Sequence, residues 1–119
     1  MGILTTIGKN TALTGIGTVG LRVRLHSGAP GATGTDNQIS GGTYEPQAIT
    51  WNTAAAGNLD SSNQPVFDIP ASTTVSNWSL WNVALDTCYA VGQLSATEVF
   101  TNAGTYTLTD ADITLTDPI

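Results

Sequence analysis

The clearest pattern in the chain is a strict alternation of apolar and polar side chains over residues 21–26. Leucine and valine occupy the odd positions of this segment, and arginine and histidine occupy the even ones. A period of two residues predicts a β-strand that buries one face. A loop rich in glycine follows over residues 27–43, and a second strand candidate then ends on Trp51.

The rest of the chain repeats this order of short apolar runs and turn-forming residues. No segment shows a sustained helical period, so the pattern predicts an all-β fold, a single β-sandwich of jelly-roll or Ig-like type with seven or eight strands. We expect residues 19–119 to form the sandwich. Residues 1–18, which are rich in threonine and glycine, are expected to form an N-terminal arm, with a short helix or an edge strand as the alternatives. The strand candidates are Val19–Leu25, Tyr44–Trp51, Pro65–Ile69, Asn77–Val83, Tyr89–Leu94, Thr105–Thr109 and Ile113–Thr116.

The apolar positions of these strands predict the hydrophobic core. Trp78 and Trp81 are three residues apart and cannot share a face of a regular strand. We therefore expect one in the core and the other at a bulge, an edge or an interface. The segment 110–112 is predicted to close a tight hairpin between the last two strands. The core candidates are Leu21, Val23, Leu25, Ile49, Trp51, Trp78, Leu80, Trp81, Tyr106, Leu108, Ile113 and Leu115.

Charge is scarce in this sequence. Charged residues make up 10% of the chain, and the net charge is −6. The basic side chains are three, Lys9, Arg22 and Arg24. Without a cationic surface, neither nucleic acid nor an anionic membrane is expected as a partner. No apolar run approaches the roughly 18 residues of a membrane span, and no signal peptide is recognisable. The lone Cys88 cannot form an internal disulfide bond.

The same scarcity of charge favours contact with other protein subunits, because few charged groups would need desolvating. A small sandwich also has edge strands, and this chain offers few charged residues to protect them from pairing. We therefore expect a homo-oligomer.

Few residues suggest chemistry. His26, the only histidine, adjoins Ser27, but neighbours along a strand point to opposite faces, so we expect His26 to make a structural hydrogen bond to the following loop. Asp110 and Asp112 could chelate a cation together with Asp117, although a role in a turn is favoured. No enzyme activity, metal or cofactor is predicted.

Aromatic side chains leave one further function open. Exposed aromatic rings could stack on sugars, which would make the domain a host-surface adhesion module, although most rings are expected in the core of so small a domain. The candidates are Tyr44, Trp51, Trp78, Trp81, Tyr89 and Tyr106.

Four segments resemble the signature of a family of small virion structural proteins of tailed bacteriophages, which are tail-fibre-like or head-decoration-like. The resemblance covers roughly the last hundred residues. The usual Ala-Arg after the tyrosine is replaced here by Glu45-Pro46. The segments are Leu25-His26-Ser27-Gly28-Ala29-Pro30-Gly31, Asp36-Asn37-Gln38-Ile39-Ser40-Gly41-Gly42, Tyr44-Glu45-Pro46-Gln47-Ala48-Ile49-Thr50-Trp51 and Asn77-Trp78-Ser79-Leu80-Trp81-Asn82.

The resemblance implies a bacteriophage virion protein that assembles in the bacterial cytoplasm and lies on the virion surface. We expect a capsid decoration (cement) protein, a homotrimer that binds the major capsid protein and stabilises the shell by mass action. The alternative within the virion is a tail-fibre, tail-tip or baseplate-associated subunit. We expect the arm 1–18 and the loop 27–43 to contact partners, the latter through Ser27, Gly28, Pro30, Gly31, Asp36, Asn37, Gly41 and Gly42.

Overall fold

In the computed structural model, which describes residues 2–116, the chain forms eight strands and one helix. All strand pairs in this part of the chain are antiparallel, which confirms the all-β prediction. The three-residue strand β3 was not predicted, because it is too short to show a period. The elements are α1 (Thr6–Val19), β1 (Arg22–His26), β2 (Gln47–Ala48), β3 (Asn58–Asp60), β4 (Val66–Ile69), β5 (Thr73–Trp81), β6 (Cys88–Phe100), β7 (Gly104–Thr107) and β8 (Asp112–Thr114).

The largest sheet has four strands in the order β2-β1-β5-β6. In its register Val23 lies opposite Leu80, and Leu25 lies opposite Trp78, so the apolar positions of β1 and β5 share one face. Phe67 and Ile69 of β4 join these side chains in the main hydrophobic cluster. The alternation over residues 21–26 therefore marks the buried face of the sheet, as the sequence predicted.

The remaining strands form two short pairs, β3-β8 and β4-β7. The predicted hairpin over residues 110–112 is therefore wrong, since β7 and β8 pair with different strands. The reason is packing. Leu108 and Ala111 are both buried and their backbones hydrogen-bond to Pro65 and Ser61, so the segment between β7 and β8 is held against residues 61–65 and cannot close a hairpin.

Trp78 and Trp81 are both buried, but in different surroundings. Trp78 belongs to the main hydrophobic cluster, whereas Trp81 lies beyond a register shift between Leu80 and Trp81 in the pairing of β5 with β6. Because the two residues are three apart, the alternation of side chains along β5 places Trp81 on the opposite face of the sheet, the face of Ser79. That face carries His26 and Ser79, and the loop 27–43 covers them.

Helix α1 lies in the segment 1–18 that was expected to form an arm, for which a short helix was one of the alternatives. Three threonines of α1 donate hydroxyl hydrogen bonds to backbone carbonyls three or four residues earlier. These polar side chains are therefore satisfied on the helix itself. The helix is fixed by Leu13, which is fully buried beside Leu59 of β3, and by the side chain of Asn10, which accepts a hydrogen bond from the Gly57 N–H. The division into an arm and a sandwich domain stays a prediction.

Within residues 2–116, no helix has the length and apolar character needed to cross a membrane.

Candidate functional site

The loop 27–43 is anchored to the sheet by His26, whose side chain is fully buried. Its Nδ1 lies 2.8 Å from the Asp36 carbonyl oxygen, and its Nε2 lies 2.6 Å from the Ser79 Oγ. The indole N–H of Trp81 donates to the same Ser79 Oγ at 2.7 Å. One arrangement satisfies all four groups: Trp81 donates to Ser79, Ser79 donates to Nε2, and Nδ1–H donates to Asp36. The expected hydrogen bond from His26 to the following loop is present.

Burial lowers the pKa of His26, and this effect outweighs the hydrogen bond to the Asp36 carbonyl, which acts in the opposite direction. The imidazole is therefore neutral in the folded protein near pH 7, as the hydrogen-bond arrangement requires. Ser79 and His26 have the proximity of a nucleophile and its base, but both are completely buried, so no substrate reaches the Ser79 hydroxyl.

The Arg24 side chain contacts both the loop 27–43 and the sheet. Its guanidinium lies 4.9 Å from the centroid of the Trp81 ring, and one of its N–H groups donates to the Gln38 side chain. Gly34 of the loop has a positive φ of 72°, and a Cβ there would lie 2.5 Å from the Cys88 Sγ. Partial burial raises the pKa of the Cys88 thiol, so Cys88 stays protonated near neutral pH.

The loop residues predicted to contact partners fall into two groups. Pro30 is buried and Gly28 and Gly31 are half-buried, so these three mainly shape the loop. The other five are exposed: Ser27, Asp36, Asn37, Gly41 and Gly42. Glycines 41 and 42 both have positive φ angles and form the tip of the loop.

A groove of about 500 Å³ lies between β6 and the segment 106–114. Its lining on the β6 side is residues 90–95. Trp78 forms part of its lining, and Leu108 and Ile113 contribute apolar surface. The other sides carry polar groups, among them Gln93, Thr109, Asp110 and Asp112.

Two carboxylates that line this groove, Asp110 and Asp112, lie beside a third, Asp60. Side-chain oxygens of Asp60, Asp110 and Asp112 all lie within 4.8 Å of one another, and all three residues are exposed. The pKa of Asp112 rises to about 7, mainly because its side chain is hydrogen-bonded to Asp60, with burial and the charge of Asp110 adding to the effect. Asp112 is therefore partly protonated near neutral pH. Asp117, the third ligand suggested by the sequence, lies outside the described residues.

A second surface is the face of β6 that points away from the main hydrophobic cluster. Tyr89 and Val91 are exposed there at 39% and 46%, next to the covered part of the sheet. In residues 88–100 the only charged side chain is Glu98. Among the described strands β6 is also the longest, with 13 residues, and it pairs only with β5.

The core candidates from the sequence are all at least half-buried. Val23, Leu25, Ile49, Trp78, Leu80, Trp81 and Leu108 are buried, and Leu21, Trp51, Tyr106, Ile113 and Leu115 are half-buried. Sequence reasoning missed Asp60 and Gly92 at the groove. Asp60 lies about fifty residues before Asp110 and Asp112 and meets them only through the pairing of β3 with β8.

Comparison with known proteins gives one family. Residues 3–116 match the family described as podophage GP4 fiber I protein gp80. No curated protein and no solved structure matches the chain. Because the family match spans nearly the whole sequence, the chain belongs to this family of podophage fibre proteins.

Proposed function

We propose that this protein is a fibre-type structural subunit of a podophage virion and that it acts by binding other virion proteins. The observation that carries the proposal is the family match over residues 3–116. The resemblance of the loop and tryptophan motifs to tailed-phage structural proteins supports the same assignment.

The surface supports a role in assembly. The long edge strand β6 exposes Tyr89, Val91 and Val99 and carries almost no charge to discourage pairing. The start of the chain exposes a second apolar surface, made by Ile3, Leu4 and Ile7. Both surfaces fit a homo-oligomer, which we propose to be a trimer, and neither fits a domain that works alone.

We propose no enzyme activity and no nucleic-acid or membrane partner. The buried Ser79–His26 pair is out of reach of any substrate. Two of the three basic side chains, Arg22 and Arg24, are half-buried on β1, and Arg24 is engaged with Trp81 and Gln38. They offer no cationic surface for phosphate groups.

Capsid decoration is the second candidate within the virion. A compact domain with 10% charged residues suits close packing on a protein shell, and the partner would then be the major capsid protein. In both cases the protein lies on the virion surface after assembly in the bacterial cytoplasm.

Location and copy number in purified particles separate the two candidates. Gold-labelled antibody against this chain should mark the fibres or tail, and quantitative mass spectrometry should find at most a few dozen copies per particle. Label spread over the shell, with hundreds of copies, would support capsid decoration. Absence from mature particles would refute both.

A further inference from the structure

The segment 28–38 of the loop is held to the sheet mainly by polar contacts. Its buried residues are Pro30 and Gly34, neither of which has a large apolar side chain. Ile39, the next residue after the segment, belongs to the main hydrophobic cluster. A segment with so few buried apolar contacts can open while the rest of a domain stays folded. The polar contacts to the sheet therefore decide whether residues 28–38 are closed over it.

The hydrogen bonds of His26 are the contacts that a proton changes. In the closed loop the neutral imidazole accepts from the Ser79 hydroxyl through Nε2, while its Nδ1–H donates to the Asp36 carbonyl. Once the ring is protonated, Nε2 donates instead of accepting. The Ser79 oxygen then accepts from both His26 and Trp81, and its own hydroxyl hydrogen loses its acceptor. Proton uptake in the closed loop therefore removes a hydrogen bond inside the protein.

Within the described part of the chain, the elements around His26 offer no negative charge to a protonated ring. Arg24, two residues earlier on β1, lies on the same face and adds a positive charge. Strand β5 has no charged residue, and β6 has only Glu98, which lies opposite the first residues of β5, whereas His26 lies opposite its middle. Asp36, the only acidic residue of the loop, has a carboxylate oxygen beside Gly31 and is exposed. A fully buried imidazolium next to a guanidinium is therefore unfavourable.

We propose that the segment 28–38 is released from the sheet in acid, because His26 takes up a proton when the segment opens. Solvent then reaches the imidazole, whose ordinary pKa is 6.5, whereas burial lowers the pKa in the closed loop. The open form thus binds one more proton than the closed form. Below pH 6.5 the equilibrium constant for opening rises by up to about tenfold per pH unit.

The release adds a pH-sensitive element to the loop that we expect to contact partners, and it does not depend on the fibre function proposed above. Five of the eight predicted contact residues lie in the segment that opens. These residues are Gly28, Pro30, Gly31, Asp36 and Asn37.

Hydrogen exchange measured by NMR on the whole chain tests the proposal. The reporters are the Ser27 amide, which donates to the Asn37 carbonyl, and the Trp81 indole N–H, which donates to Ser79. The reference is the amide of Leu108, a buried core residue. From pH 6.5 to pH 4.5 we expect the protection factors of both reporters to fall at least about tenfold. The Leu108 amide should remain more strongly protected at every pH.

Two results in the wild-type chain would overturn the proposal. Protection of the reporters that does not change with pH would mean that opening binds no proton. Equal protection of the reporters and of the Leu108 amide at every pH would mean that the loop opens only when the whole domain unfolds.

Variants identify the group that binds the proton. His26→Gln has an amide that can donate to a carbonyl and accept from a hydroxyl but does not titrate, so we expect the reporters to lose their pH dependence. The matched control is Asp36→Asn, which removes the only carboxylate of the loop and keeps the carbonyl that binds His26. It should retain the pH dependence of the wild type.

The opposite pattern in either variant would overturn the proposal. A pH dependence that persists in His26→Gln, or disappears in Asp36→Asn, would assign the proton to another group. If His26→Gln fails to fold, the wild-type chain and Asp36→Asn still decide the question. Exchange is measured on the isolated subunit, so absence of the protein from virions would refute the fibre function and leave this proposal standing.

Discussion

At the scale of single residues, His26 is a fully buried polar side chain with a structural role. It links β1, β5 and the loop 27–43 through two hydrogen bonds inside the protein. Replacing it with alanine leaves a cavity, the Asp36 carbonyl without this hydrogen bond, and the Ser79 hydroxyl without its acceptor, although Ser79 keeps the bond from the Trp81 indole. We expect His26→Ala to lower the free energy of unfolding by about 2–4 kcal/mol, measured by urea denaturation. Ser27→Ala, at the exposed neighbour, should change it by less than about 0.5 kcal/mol.

The pH dependence of stability follows from the lowered pKa of His26. Below its ordinary value of 6.5 the unfolded chain takes up a proton that the folded chain refuses, so the free energy of unfolding falls as the pH falls. Asp112, whose pKa rises to about 7, has the opposite effect between its ordinary value and that pH. The measurement is therefore made in the Asp112→Asn background. Equal slopes there with and without His26→Ala would contradict the assignment.

At the scale of elements, α1 is a helix that its own composition weakens. Gly15 faces open space, whereas a Cβ on Gly20, which caps the end of α1, would lie 2.5 Å from a methyl carbon of Leu80. We expect Gly15→Ala to raise the free energy of unfolding by about 0.5–1 kcal/mol, because alanine loses less backbone entropy in a helix. Gly20→Ala should lower it. Thermal melts of the two variants check this pair, and a loss of stability in Gly15→Ala would contradict the helix.

An element could be predicted when the residues that stabilise it form a pattern within its own segment of the sequence. The alternation in β1 and the apolar residues of β4 and β5 are visible in sequence, because those side chains face one shared core. Helix α1 could only be listed as an alternative to an arm, because its stability comes from Leu13 packing beside Leu59 of β3, a contact between distant segments. The hairpin at residues 110–112 was predicted from local turn chemistry, and the burial of Leu108 and Ala111 overrode it.

The groove could not be predicted, for a related reason. Asp112 meets Asp60 only when β8 pairs with β3, and Trp78 packs on Gly92 only because the two residues lie opposite each other in the sheet. By contrast, the anchoring role of His26 could be predicted, because the alternation over residues 21–26 fixed the face on which it lies and the loop follows directly.

At the scale of the whole molecule, the exposed face of β6 is the surface on which self-association can be tested. Tyr89→Lys places a charge on this face, and we expect it to raise the dissociation constant of the oligomer at least about tenfold, because a charge would have to be buried on association. Light scattering during size-exclusion chromatography measures the mass. Val66→Lys, at a site on β4 that is 51% exposed, is the matched control.

Two outcomes would contradict this expectation. The wild-type chain could remain a monomer at the highest concentration reached, or the two lysine variants could shift the mass equally. The first would mean that assembly needs another virion protein, and the second would place the interface elsewhere.

The bond between the Trp81 indole and Ser79 has a practical consequence. Ser79 is also hydrogen-bonded to His26, which binds the loop 27–43. We therefore expect the fluorescence emission of Trp81 to change when the loop leaves the sheet. Fluorescence spectroscopy on a chain with Trp51 and Trp78 replaced can therefore follow loop opening in acid without any attached dye. Trp81 fluorescence therefore reports on the loop 27–43, the segment that we expect to contact virion partners.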